Sequence, residues 1–388
     1  MADFDPLPVD LSKFVPEGGE RPTEFPDAAP AAGFCSNQSF GGPFIPERPE
    51  TEVPPTKAAL DLSKRWRDGA KLQVVFLNGT DVWGATIRQA VRNLAPTWSD
   101  YANVTFDFDQ PTAHVTINLL PQPGVPIGTY NCWMGVDCLQ AVRQGRQSMN
   151  LVFNPALAND PNRLQEEFRR VILHEFGHCL GFIHEHMRPD GPIVWDEAAL
   201  NRTFGVPPNS WTPQMIRQQI VDAYRGGPLS SSAFDLKSIM MYQFPPGLAR
   251  YEDGRPFDTP NNTVLTPMDK VMANVAYPAE GAGELAEALL KVDGPSKAGE
   301  IAEPGQVARY RFTIDTPGVH VVKTEGATPL LLSIQRERDE ADGRLFAVEG
   351  TNLAQPVRFT EARDYYVAVR HAKPMRGVGA FKVSVERA

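Results

Sequence analysis

"LHEFGHCLGFIHEH", residues 173–186, sets four histidines, two glutamates and two glycines in an otherwise apolar run. With the residues before it, "NRLQEEFRRVILHEFGHCLG", it reads as one long helix that ends at a glycine. Residues four apart on a helix share a face, so His174 and His178 aim at one point, and Glu175 lies beside that point rather than on it. This is the HExxH arrangement. Two imidazoles do not complete a tetrahedral site; a catalytic zinc has three protein ligands and one open position for water. Gly181, three residues beyond His178, lets the backbone enter the left-handed region, stop the helix and turn back, which returns His184 to the same point. His174, His178 and His184 are therefore the expected ligands of one catalytic Zn2+, and Glu175 the expected general base. Zinc lowers the pKa of water from about 15.7 toward roughly 7; Glu175 then takes that proton and passes it to a leaving amine, which is peptide hydrolysis. A lone helix histidine is ordinarily a hydrogen-bonded structural side chain. The register of Gly181 and His184 with HExxH sets this stretch apart.

The stretch resembles the zinc helix of the metzincin metalloendopeptidases, and within that clan it is similar to the astacin family, because the third histidine is followed by a glutamate, Glu185. A second motif, "DLKSIMMY", matches the methionine-bearing turn of the clan in its astacin form through Ser238, Met240 and Tyr242. The resemblance implies that Met240 forms an apolar floor beneath the metal. It also implies that Tyr242 is a fifth, displaceable zinc ligand that swings to stabilise the oxyanion. Read without the resemblance, a Met and a Tyr in an apolar run are plain core. The similarity spans roughly residues 64–278. The family continues after Glu185 with Gln and Arg-x-Asp, where this chain has His186, Met187, Arg188, Pro189 and Asp190. Glu185 and His186 are expected to support the site or lie on the surface rather than ligate the metal. In the family, the residue matching Glu185 contacts the mature N-terminus.

Outward from the motif, the spacing predicts an α+β fold. "KLQVVFL", "NVTFDFD", "HVTINLL" and "SMNLVF" read as strands, and "VWGATIRQAVRNLAPTW" as a helix with apolar positions at 83, 87, 91 and 94. One helix is expected in "TPQMIRQQIVDAYR", and "TPMDKVMANVAYP", with a Thr cap and Pro at its first position, closes the catalytic domain. The tail alternates in short strands separated by turn residues, the pattern of a small β-sandwich. It weakly resembles the bacterial pre-peptidase C-terminal domains through "VARYRF", "YYVAVR" and "GAFKVSV". Binding of substrate or wall polymers, help in export, and plain stabilisation all stay open for it. The expected organisation is a leader over 1–63, a metzincin-like catalytic domain over 64–278 with a twisted mixed sheet, a linker over 279–299 and an all-β sandwich over 300–388.

The chain of 388 residues is long enough for two such cores. Hydrophobic residues at 42% and charged residues at 22% fit an ordinary folded protein, and the formal net charge of -9 argues against nucleic acid or an anionic membrane as main partner. No apolar run reaches the roughly 20 residues of a membrane span. "MADFDPLPVDLSKF" has neither a basic nor an apolar signal region, so no secretory signal is read, although the resemblance implies an extracellular enzyme acting on proteins or peptides. Oligomeric state is not legible.

The cysteines Cys35, Cys132, Cys138 and Cys179 are too few for a disulfide scaffold and too scattered for a cysteine zinc site. Cys132 and Cys138 either close a small loop or stay free and buried, and Cys179 is structural. Cys35, in the irregular leader, has a sharper reading beside the bland one of a surface or disulfide cysteine. Its thiolate would occupy the open zinc position and make the leader an inhibitory pro-segment. Substrate is expected as an added strand at the sheet edge near "GTYNCWM", residues 128–134. His114, His320 and His371 read as ordinary strand or surface residues. The competing reading is a metal-binding adhesion or substrate-binding protein that has lost catalysis; it predicts zinc binding without hydrolysis.

Overall fold

In a computed structural model of the chain, residues 5–9 and 60–388 are described, except 109, 189–190, 207–208, 224–228, 231–232, 282, 284 and 339–343. Cys35, Pro189, Asp190 and most of the expected leader lie outside the described residues. The fold class is α+β, as the hydrophobic periods require. Strand β1 (Ala70–Phe76) pairs in parallel with β2 (Val104–Asp107) on one side and with β3 (Val115–Asn118) on the other. Beyond β3 comes β5 (Met149–Leu151), also parallel, and then β4 (Tyr130–Cys132), antiparallel and at the sheet edge. The edge strand thus falls where the sequence places it.

Helix α1 (Val82–Leu94) begins at Asp81, whose carboxylate accepts a hydrogen bond from Gly84 N, and it turns Ile87 and Val91 into the core. A short helix, α2 (Asp137–Arg143), follows the edge strand. Helix α3 (Pro161–Cys179) starts with Asp160 accepting from Arg163 N and Pro161 at the first helical position, where its missing N–H costs nothing. From Val171 to Cys179 every residue of α3 is buried, on all sides, which marks the centre of the domain. Three ring groups far apart in sequence donate to backbone carbonyls of this half: Trp98 Nε1 to Leu173, Trp66 Nε1 to Cys179, and the Tyr277 hydroxyl to Leu180. Tyr277 follows the closing helix, α5 (Pro267–Ala276), so that helix and the zinc-motif helix are tied end to end. No helix among the described residues is long and apolar enough to cross a membrane.

The residues between the two motifs form a smaller core of their own. Helix α4 (Glu197–Phe204), the turns over Pro213–Ile216 and Arg217–Val221, and a ladder of Ile193–Trp195 with Ala249–Tyr251 bury Leu200, Phe204, Ile216 and Phe257 together. Of the helix expected over "TPQMIRQQIVDAYR", the stretch 213–221 is helical and ends at an extended Asp222; Tyr224 and Arg225 lie outside the described residues.

The tail is a two-sheet sandwich with a second hydrophobic core of Phe312, Ile334, Phe359, Tyr365, Val367 and Val383 among others. It starts earlier than the alternation indicates. Ala288–Leu289 pairs in parallel with Ala308–Ile314, and Lys297–Ile301 pairs with Gly379–Arg387, so part of the expected linker belongs to the sandwich sheets. A two-residue strand and the exposed pattern of "KAGEI" carry too little alternation to be read. At the other end, Leu60 is in the larger core and Asp61 N donates to Gly181 O, so packing of that core reaches back into the stretch expected as leader. The sandwich rests on α5. Buried Arg370 donates through Nε to Asn274 Oδ1 at 2.7 Å, Lys270 pairs with Glu349, and Asp100 receives Arg376 and Lys373.

Candidate metal centre

The end of α3 shows how the histidines meet. Phe182 N donates to Gly177 O at 3.0 Å and Gly181 N to His178 O at 2.8 Å, the paired bonds of a Schellman reversal. Gly181 has φ +93°, a left-handed value that disfavours any residue with a Cβ. The chain turns back, and His184 Nε2 stands 3.0 Å from His178 Nε2, which in turn stands 3.1 Å from His174 Nε2. All three rings are buried.

The hydrogen bonds on the far side of two rings decide what those nitrogens are. His174 Nδ1 meets Ile239 O and His178 Nδ1 meets Phe182 O, each at 2.7 Å. A carbonyl only accepts, so Nδ1 carries the proton in both rings and each Nε2 presents a lone pair. Burial, reinforced by the neighbouring imidazoles for His174 and His184, keeps all three pKa values low, that of His178 at about 4, so the rings are neutral at neutral pH. Lone pairs facing one another at such distances repel unless a cation lies between them. Zinc bound to imidazole at about 2.0–2.1 Å in tetrahedral geometry needs nitrogens roughly 3.4 Å apart, so the set fits the ion after a small relaxation.

Glu175, 1% exposed, shares a small depression with His174, Tyr242, Tyr130, Arg170, Val171 and Met241. Glu167 holds Arg170 through Nε and Nη2 at 3.1 and 2.7 Å. The second motif divides between the two cores. Met240 is fully buried in the large one, against Gly177, whereas Met241 and Tyr242 belong to the smaller one. The Tyr242 ring lies 4.2 Å, centroid to centroid, from that of His184 and is stacked at 6.0 Å on His174. The expected metal ligands, Glu175, Met240 and Tyr242 are therefore brought together.

Glu185 and His186 are buried, so the surface alternative for them is wrong. Glu185 Oε1 accepts from Arg188 Nη1 at 3.0 Å and from Asp235 N at 2.8 Å, while Glu185 N donates to Met240 O. It thereby ties the segment after the third histidine to the methionine turn. Burial pushes its pKa up to about 7, against the pull of Arg188. His186 stacks on both His184 and Tyr242, with centroids 5.1 and 4.9 Å apart. Nothing in the sequence separates an inward His186 from an outward one, since it stands beyond the helix where no period applies.

Asp269 of α5 is a residue that the motif reading missed. Its carboxylate accepts from Ser238 Oγ (2.6 Å), Ile239 N (2.9 Å) and Thr266 N (2.9 Å), and so fixes the methionine turn from behind. The Thr266 cap is legible and Asp269 completes its capping box, but no local rule says that the same carboxylate also reaches residues 238 and 239. The thiols hold a further correction. Cys132, Cys138 and Cys179 are not scattered; they are free, buried and within 4.8 Å of one another. Chain separation carries no information about that approach.

Gly177 gives a direct test of the packing. A Cβ there runs into Met240 Sδ and approaches Trp98 Cζ2. Alanine in mid-helix favours folding by about 1 kcal/mol over glycine, and overpacking a filled core costs about 1–3 kcal/mol. The clash wins, because neither Met240 nor Trp98 has open space. Gly177→Ala is expected to lower unfolding free energy by about 1 kcal/mol or more in urea denaturation; a more stable variant refutes the packing described.

No family model and no curated protein sequence matches the chain. Among solved structures it is similar to myroilysin, at 29% identity and TM-score 0.48, over 57% of this chain and 98% of that one. It is similar also to high choriolytic enzyme 1, a hatching enzyme zinc-protease from the medaka fish Oryzias latipes, at 15% identity and TM-score 0.36, over 55% of this chain and 93% of that one. A third is the pre-peptidase C-terminal domain of collagenase from Bacillus anthracis, at 13% identity and TM-score 0.22, over 26% of this chain and 93% of that one.

Proposed function

We propose that this chain is a secreted-type, astacin-like zinc endopeptidase that hydrolyses internal peptide bonds of proteins. The observation that carries the reading is the convergence of three neutral imidazole Nε2 atoms, one of whose rings, His174, lines a depression together with Glu175 and Tyr242. His174, His178 and His184 would hold the zinc, which supplies Lewis acidity toward the scissile carbonyl and acidifies a water at its open position.

The chain's own groups do the rest. Glu175, one position off the ligand face, accepts the proton of the attacking water and returns it to the leaving nitrogen. The Tyr242 hydroxyl donates to the oxygen of the tetrahedral carbon, where charge develops. Ile239 O and Phe182 O keep His174 and His178 in the tautomer that leaves Nε2 for the metal. Met240, buried against Gly177, which lies between His174 and His178 in the chain, supplies the apolar floor. Peptide is read along the antiparallel edge strand β4, whose Tyr130 lines the same depression as Glu175.

The test is hydrolysis of casein by purified protein carrying one equivalent of zinc in the histidine site. A chelator is expected to abolish it and added zinc to restore it. Zinc bound with no hydrolysis of casein or of a peptide library refutes the enzyme reading.

A further inference from the structure

We infer that Cys132, Cys138 and Cys179 form a second, structural metal site that takes zinc as a thiolate-bound ion. Three of the chain's four cysteines arrive at one place from three elements: the end of edge strand β4, the first turn of α2 and the end of α3. Their sulfurs lie within 4.8 Å of one another, those of Cys132 and Cys138 are 3.7 Å apart, and none is exposed. Zinc bound to sulfur at about 2.3 Å in tetrahedral geometry needs sulfurs about 3.8 Å apart, so the pair already has the spacing of two ligands. A disulfide would use two of the three thiols, leave the third buried beside it, and draw the sulfurs together to about 2.0 Å.

Both thiols of the pair donate to one acceptor, the Trp133 carbonyl, at 3.1 Å from Cys132 Sγ and 2.9 Å from Cys138 Sγ, and loss of the thiol protons would free that oxygen. The charge balance selects the ion. Three thiols lose three protons to solvent; with a divalent cation the buried centre keeps a single negative charge, and with a monovalent one it keeps two. Burial penalises the second far more, so zinc is favoured over cuprous ion among the cations that thiolates select.

The place gives the site a role. The loop between Cys132 and Cys138 is bonded to the zinc-motif helix through Gly135 N, which donates to His178 O at 2.8 Å. A bound ion would clamp the edge strand, α2 and the end of α3 to one another, one residue from His178. It would be a staple for the strand that reads substrate, with no part in the reaction.

The experiment uses the full chain carrying Cys35→Ala, so that only the three clustered thiols remain. The protein is reduced, freed of metal and titrated with cobalt(II) and, separately, with zinc. Two metal equivalents per chain are expected, together with an intense near-ultraviolet sulfur-to-cobalt charge-transfer band that is lost, along with one equivalent, in Cys138→Ser. The band comes only from thiolate ligands, so it reports this site whatever becomes of the histidine site or of hydrolysis, and it needs no cysteine variant of the cluster to fold. A fully reduced chain with no charge-transfer band overturns the proposal. So does purified protein two hydrogens lighter with a Cys132–Cys138 cross-linked peptide.

Discussion

Glu175→Gln is expected to lower kcat by about a thousandfold or more while the protein keeps its zinc. Glu175 is 1% exposed and sits between His174 and His178 on a helix whose surrounding turn is buried throughout. Glutamine matches its volume and can still hydrogen bond, so the helix has no reason to move. What it cannot do is accept a proton, and a positioned general base contributes about 10²–10⁴ in rate. The ligands are untouched, so zinc content by elemental analysis and the urea midpoint should match those of the parent. His178→Ala is the contrast: it removes one of three nitrogens and with it the ion. Parental kcat in a zinc-loaded Glu175→Gln protein would rule out Glu175 as base.

Asp269→Ala is expected to cost about 3–5 kcal/mol of folding free energy, from two buried donors and the part-buried Thr266 N–H left without an acceptor at about 1–3 kcal/mol each, offset in part by relaxation of the turn. Against a typical stability of about 5–15 kcal/mol, that is enough to loosen the turn carrying Met240 and Tyr242 even where the fold survives. Zinc affinity should fall as well, because Ile239, whose N–H Asp269 binds, holds His174 through its carbonyl. Asp269→Asn separates shape from charge. Burial, then the nearby Asp235, pushes the Asp269 pKa up to about 6 despite its three donors. A raised carboxyl pKa means that the folded state holds its proton more tightly than the unfolded chain does. The group's contribution to stability is therefore full below its unfolded value, near 4, and is lost as pH rises through about 6. That slope should disappear in Asp269→Asn. Denaturation midpoints between pH 4 and 7 for both proteins measure it, and an unchanged slope refutes the assignment.

The approach of the three histidines is legible because it is nearly all local. A spacing of four on a helix and a glycine that permits positive φ define where two imidazoles point and how the third returns, with no reference to the rest of the chain. The sheet strands and the β-character of the tail are legible for the same reason, through period-two alternation. The same logic fails for the two-residue strand at 288–289 and for Leu60–Asp61, where pairing is decided by the partner and leaves no period behind.

By itself the sequence determined the α+β class and the one stretch able to gather three histidines, since each rests on contacts between near neighbours in the chain. Only the tertiary structure decided that Asp269 braces the methionine turn, that Glu185 and His186 turn inward, and that three cysteines from three elements share one buried pocket. These are meetings of residues separated by tens of positions or lying where no period applies. Their approach is a product of how separate elements pack against one another, which no spacing along the chain encodes.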